Sequence, residues 1–183
     1  MVWNATGLCV LLLGQGLRVW AAGCMGSAGR SKRLKAATLL TAGPYAYMRN
    51  PLYLGNFLLC LGVMFFTESS LLLLLSGLIF WVLYLPLVSV EEEFLQEQFG
   101  ADYLAYRQTV PRIVPRFTAA KQEPGAFRWS NLRKEYHSVT GVISAVTAIK
   151  AIEWQAHTFG FLAISGLFLL VPHLVEKSLK KGL

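Results

Sequence analysis

Gly43-Pro44-Tyr45-Ala46-Tyr47-Met48-Arg49-Asn50-Pro51-Leu52-Tyr53-Leu54-Gly55 is a dense aromatic and polar stretch set between apolar segments. Glu91-Glu92-Glu93 answers it at the far end of the next apolar hairpin. Two polar clusters that bracket a pair of lipid-soluble helices emerge on one side of a bilayer, where a charged cofactor can meet a greasy substrate. This pattern predicts chemistry at a membrane surface rather than a purely structural role.

Outward from that stretch, the 183-residue chain is 55% hydrophobic with a mean hydropathy of +0.48, above the usual composition of a soluble domain. Apolar runs span about 2–24, 52–66, 71–90, 139–152 and 159–175. The second and fourth fall short of the roughly 20 residues that cross a hydrocarbon core, so they thin the bilayer, extend into flanking residues or fail to cross. The expectation is an all-α, polytopic membrane helical bundle.

The net charge of +7 is read through its placement. Arg30, Lys32, Arg33, Lys35 and Arg49 follow the first run. Arg107, Arg112, Arg116, Lys121, Arg128, Arg133 and Lys134 follow the third, and Lys177, Lys180 and Lys181 the fifth. Thr67-Glu68-Ser69-Ser70 carries none. The positive-inside rule then gives an integral, multi-pass protein of about five transmembrane helices with its N-terminus outside and its C-terminus cytoplasmic, Lys150 being the loop exception. The charge serves topology and anionic lipid headgroups, and no nucleic-acid partner is expected.

Cys9, Cys24 and Cys60 sit in or beside apolar runs without Cys-x-x-Cys spacing, so neither a disulfide framework nor a zinc site is expected. His137, His157 and His173 read as interfacial or helix-end residues, and no metal is expected. Ala21-Ala22-Gly23-Cys24 has a faint likeness to a lipoprotein cleavage site. No basic residue precedes the first run, Arg18 lies inside it and basic residues follow it, a pattern that fits a retained helix.

Pro51 suits the first position of a helix, where its missing N–H does no harm, and the residue before proline avoids helical geometry. Tyr45, Tyr47 and Arg49 are then displayed on irregular backbone at the membrane surface, where an aromatic belt with an anchoring arginine is the plainer alternative. Glu91, Glu92 and Glu93 close the third run, where a helix dipole disfavours anions. Either the helix continues or basic partners neutralise them, with Arg107, Arg112 and Arg116 close in sequence. Leu95, Phe99, Tyr103 and Tyr106 recur at helical spacing, predicting a surface amphipathic helix interrupted near Gly100.

In the first run Arg18 either faces protein or snorkels roughly 10 Å to the interface, and Gly14 and Gly16 allow close approach of a neighbouring helix. Residues 117–135 form a basic cytoplasmic linker with Phe127 and Trp129 as interfacial anchors. They separate a core at 1–116 from an accessory C-terminal helical hairpin at 136–183. Lys150 and Glu153 are spaced for a helical ion pair.

Taken in order, Gly43-Pro44-Tyr45 through Arg49-Asn50-Pro51-Leu52-Tyr53-Leu54-Gly55, Glu91-Glu92-x-x-Leu95-x-x-x-Phe99-Gly100-x-x-Tyr103-x-x-Tyr106, and Val110-Pro111-Arg112-x-x-Pro115 resemble the isoprenylcysteine carboxyl methyltransferase and phospholipid methyltransferase superfamily. The likeness covers roughly Gly14 to Pro115, and the C-terminal hairpin lies outside it. The family pattern has histidine where this chain has Asn50, whose amide can still hydrogen-bond a cofactor.

The resemblance implies a membrane enzyme that binds S-adenosyl-L-methionine at the cytoplasmic face and methylates a lipophilic small molecule or lipid entering from the bilayer. On that footing Arg49, Glu92 and Arg112 are the candidate catalytic residues. Tyr45, Tyr47, Asn50, Tyr53, Gly55, Glu91 and Glu92 are the candidate cofactor-binding set. Glutamates suit the cofactor's ammonium, arginines a carboxylate in fork geometry, and an aromatic face the sulfonium. A carboxylate acceptor attacks as the anion, whereas an amine acceptor needs a base, for which a glutamate is the natural choice. An NADPH-dependent sterol-reductase-like enzyme and a non-catalytic scaffold are the alternatives. The paired glutamates favour the methyltransferase, because they would repel a 2′-phosphate.

Overall fold

Among the described residues the protein is all-helical. The computed structural model describes residues 1–25, 39–120 and 127–153, without the side chains of residues 133 and 134. Five α-helices follow in chain order, α1 (Val2–Cys24), α2 (Pro51–Phe65), α3 (Ser70–Phe99), α4 (Ala101–Thr109) and α5 (Tyr136–Glu153), with 3-10 turns at Gly43–Ala46 and Trp129–Lys134. The apolar run at 159–175, the cationic loop residues 30–35 and the hairpin's second arm lie outside the described residues.

Two of these helices, α1 and α3, are long and apolar enough to cross a membrane, and α2 is a shorter apolar helix. In α3 the 30 residues extend about 45 Å, half again the thickness of a hydrocarbon core. The apolar run from Leu71 to Val90 takes up the spanning length, so Glu91 to Phe99 project beyond it. Leu74, Leu78, Ile79, Val82 and Leu83 of α3 are exposed, an apolar surface that only lipid or another apolar partner can cover. Ser69 starts the helix, its hydroxyl accepting the Leu72 N–H at 3.4 Å.

Helices α1 and α2 pack closely through paired glycines. A side chain on Gly14 would meet the Leu58 Cβ at 2.9 Å and the Gly55 carbonyl at 3.1 Å, and one on Gly62 would meet the Leu11 Cγ at 2.7 Å. Small residues thus bring the two backbones together, as lipid-embedded helices require in the absence of a hydrophobic driving force. Gly16, expected to share this duty, has nothing within 4 Å among the described residues and lies off the α1–α2 seam.

Helix α5 folds back on this pair. Val142, Ala145, Val146 and Ile149 pack against Leu11, Leu59 and Val63, and Ser138 donates to Gln15 at 3.1 Å. Residues 127–131 cap the end of α1, where the Arg128 N–H donates to the Gly23 carbonyl at 2.9 Å and the Phe127 ring lies against Gly23. Lys150 pairs with Glu153 at 2.6 Å as its spacing predicted, and it also donates to the Phe66 carbonyl at 3.1 Å.

Arg18 does not snorkel. Its guanidinium meets Glu135 at 3.1 Å and hydrogen-bonds the Asn56 side-chain carbonyl on α2, so an intramembrane charge is compensated by protein.

Candidate functional site

Three stretches far apart in sequence converge where α3 leaves the apolar layer. Pro51 occupies the first position of α2 as expected, and the residues before it form a turn-rich loop. That loop runs beside the segment after α4. The Arg49 N–H donates to the Pro111 carbonyl at 2.8 Å, the Arg116 N–H to Tyr47 at 3.1 Å and the Ala120 N–H to Ala46 at 3.0 Å. From α4 the buried Tyr106 hydroxyl donates to the Tyr45 carbonyl at 2.8 Å. Gly100, at φ +52°, permits the break between α3 and α4 that lets α4 turn back over the loop.

Glu92 is the centre of this convergence. Its carboxylate lies 3.5 Å from Arg49 Nε and 3.3 Å from Arg112 Nε, and accepts from Asn50 Nδ2 at 3.0 Å. The side chains of Glu92 and Arg49 are only 11% and 9% exposed, while Arg112 is 36% exposed. Arg112 also donates to the Ser89 hydroxyl at 2.7 Å, and its backbone carbonyl accepts from Asn50 at 3.1 Å. The helix therefore continues past the glutamates and basic partners neutralise one of them, so both expected solutions operate together. Arg107 instead donates to Gln96, and Arg116 serves the Thr109 carbonyl.

Two guanidinium groups around one carboxylate leave one positive charge uncompensated, in surroundings where an unpaired charge is costly. Arg49 Nη1 is buried and has no hydrogen-bond partner among the described residues. Glu91, one position earlier, is exposed and accepts from the Tyr53 hydroxyl at 2.6 Å. The Tyr53 ring packs edge-on to Tyr84, which stacks on Phe80 at 4.0 Å. An aromatic column thus runs from Glu91 into the apolar layer between α2 and α3.

The structure brings together Arg49, Asn50, Glu92 and Arg112, with Tyr53 and Glu91 as a neighbouring pair. The other sequence-derived candidates serve elsewhere. Gly55 is buried against α1, where a side chain would meet the Arg18 Cγ at 2.6 Å. The Tyr47 ring lies 5.8 Å from Trp20, and Tyr45 is buried beneath Tyr106.

Ser89 is a neighbour of the cluster that sequence reasoning missed, and Tyr103 and Tyr106, read there only as positions of an amphipathic helix and of the family-like motif, also lie beside it. Ser89 stands one turn before Glu92 on the same helix face, a spacing that could have marked it. Tyr103 is almost fully buried. Burial, and then the charge of Glu92, push its phenol upward against the opposing pull of Arg49, Arg107 and Arg112. Burial likewise raises Tyr106. An open depression of about 680 Å³ lies beside Tyr106 and is lined also by Leu39, Thr41, Thr109 and Arg116. None of the sequence-derived candidates lines it. Among the described residues no cluster of His, Cys, Asp and Glu is arranged to hold a metal.

The fold and site together define a helical membrane protein with a partly buried two-arginine ionic centre at the end of a long apolar helix. The chain belongs to the phospholipid methyltransferase family, whose model matches residues 2–102. That stretch includes Arg49, Asn50, Glu91 and Glu92, and Arg112 follows it. The chain is 36% identical over 121 residues to the protein-S-isoprenylcysteine O-methyltransferase of Schizosaccharomyces pombe, covering 62% of this chain and 50% of that protein. It is 31% identical over 124 residues to the Mus musculus protein of the same name, covering 66% and 44%. A cobalt-zinc-cadmium resistance protein of Cupriavidus metallidurans is 32% identical over 130 residues, covering 66% and 57%. The chain spans about half the length of the curated relatives it matches. No solved structure matches it.

Proposed function

We propose that the protein is a membrane methyltransferase that uses S-adenosyl-L-methionine and methylates the carboxylate of a lipophilic, prenylcysteine-like acceptor at the cytoplasmic face. The observation that carries this reading is the uncompensated positive charge of the Arg49–Glu92–Arg112 cluster. A partly buried cationic centre at the end of a lipid-facing helix suits a ligand that is both anionic and greasy. Family membership and the names of the relatives support the reaction class. The topology that goes with it is a multi-pass chain with the N-terminus outside.

The cofactor brings an activated methyl group, together with an ammonium and a carboxylate by which to be held. The donor set fits that pairing of charges: Glu91 is the freer carboxylate and takes the ammonium, while Arg112, the more exposed guanidinium, takes a carboxylate in fork geometry. Tyr53 orients Glu91 through its hydroxyl. Arg49, buried and tied by its backbone to Pro111, fixes the direction of the positive field. Methyl transfer then depends on aligning the acceptor oxygen in a dry site, and no general base is needed when the acceptor is already an anion.

An amine acceptor fits less well. It needs a base, and Glu92 is enclosed by the Asn50 amide, which donates to it, and by two guanidinium groups that pair with it, so it would have to leave those contacts to serve an amine.

The test is transfer of a labelled methyl group from S-adenosylmethionine in nanodiscs, with a farnesylated cysteine and phosphatidylethanolamine offered separately. A base-labile methyl ester on the farnesylated cysteine is expected. Label in the amine lipid alone would overturn the carboxylate assignment, and label in neither acceptor would count against the functional reading.

A further inference from the structure

We infer that Asn50 is a positioning residue that works as a pH-independent latch, holding Glu92 between its two arginines and tying the Arg112 segment to the start of α2. Asn50 occupies the N-cap of α2, and asparagine is among the best N-cap residues because its side chain can accept from the first turn. Its side chain makes no capping hydrogen bond here. The amide turns away from the helix, and Nδ2 donates to Glu92 Oε1 at 3.0 Å and to the Arg112 carbonyl at 3.1 Å. A primary amide has two N–H groups, so both are spent on these contacts. Asn50 is itself buried and therefore gives up helix capping to link α3, the loop before α2 and the segment after α4.

The chemistry of the donor matters as much as its place. Glu92 faces Arg49 from the loop, Arg112 from the segment after α4, and the buried tyrosines Tyr103 and Tyr106 from α4. Burial keeps the tyrosines protonated beyond their ordinary range. An amide in this company donates at every physiological pH. A carboxyl group in its place donates only while it holds a proton, and once ionised it offers no donor to the Glu92 carboxylate or the Arg112 carbonyl.

The latch bears on the functional reading above only in so far as this cluster is the cofactor site, so its test has two independent readouts. Thermal unfolding of the detergent-purified protein without cofactor, and S-adenosylmethionine affinity by calorimetry, are each followed from about pH 3.5 to 8, a window that includes the ordinary aspartate range. Wild type, Asn50→Asp, Asn50→Ala and the Asn50→Asp/Glu92→Gln double variant are compared. Relative to wild type, Asn50→Asp is expected to unfold at progressively lower temperature as pH rises. Its cofactor affinity should be close to wild type at the acid end and roughly tenfold weaker at the alkaline end. Asn50→Ala should show an offset constant with pH. The double variant, which exchanges donor and acceptor, should lose the pH-dependent step. An Asn50→Asp offset that does not change with pH, or a step that persists in the double variant, overturns the latch. Failure of wild type to bind S-adenosylmethionine would count against the functional reading and leave the unfolding series to decide the latch.

Discussion

Arg18 on α1 and Glu135 before α5 stand 117 positions apart and meet at 3.1 Å. Both side chains are largely buried, and Arg18 also reaches Asn56 on α2. The contact fastens the C-terminal segment to the α1–α2 pair, directly beside the close approach at Gly55.

Removing one partner of such a pair leaves a buried charge unmatched, which is more damaging than replacing both. Glu135→Gln is expected to lower stability by about 3 kcal/mol. The Arg18→Met/Glu135→Leu double variant should recover most of that loss. Thermal unfolding in one detergent checks both, and additive losses in the double variant would contradict the pairing.

The α1–α2 seam makes a second prediction with its own control. Gly14→Ala places a methyl group against Leu58 and the α2 backbone and is expected to cost about 1–3 kcal/mol. Gly16→Ala, on the open face of the same helix, should be neutral or gain about 0.5–1 kcal/mol by removing glycine from a helix interior. Equal effects in unfolding measurements would mean that the glycines do not set the helix spacing.

Tyr103 offers a test through pH. Its hydroxyl is buried and finds no hydrogen-bond partner among the described residues, so Tyr103→Phe should raise neutral-pH stability by about 1 kcal/mol. Burial raises the phenols of Tyr103 and Tyr106 in the folded state. Their contribution is complete below the ordinary tyrosine pKa of about 10 and is lost as pH rises through the folded values, because the unfolded chain releases its protons first. Tyr103→Phe should therefore flatten the alkaline fall in unfolding temperature. An unchanged alkaline limb would contradict the burial argument.

Arg112 and Ser89 can be ranked against each other. Arg112→Ala is expected to lower activity by roughly a hundredfold, as loss of a charged orienting contact does. Ser89→Ala should cost severalfold, because Arg112 keeps its contact with Glu92. Lys180→Ala should be silent, being far in sequence from every site residue. Methyl-transfer rates of the three variants, measured side by side, check the order, and equal rates for Arg112→Ala and Lys180→Ala would remove Arg112 from the site.

Local chemistry was legible in the sequence where local physics decides. Pro51 announced the start of α2, the apolar run to Val90 announced α3, and Gly100 its break. The convergence of Arg49, Glu92 and Arg112 followed from placing their segments at one face of the membrane. Long-range geometry was not legible. Nothing in the neighbourhood of Arg18 points to Glu135, and Gly14 and Gly16 look alike until the helix phase assigns one to the seam and the other to the open face. Gly55 read as part of a ligand motif because it closes the family-like stretch from Arg49, yet its lack of a side chain is used by α1. Asn50 reads in the sequence as a candidate cofactor ligand, but its direction was hidden, since sequence alone would aim an N-cap asparagine at its own helix.

The most direct test of the central claim, that Glu91 and the Arg112 guanidinium paired with Glu92 hold the methyl donor, is calorimetric titration of S-adenosylmethionine into the detergent-purified wild-type protein and Glu92→Gln, with NADPH as the control ligand. Saturable binding of S-adenosylmethionine but not NADPH, weakened at least roughly tenfold in a folded Glu92→Gln protein, is the expected result. Unchanged affinity in Glu92→Gln, or saturable binding of NADPH alone, would contradict it.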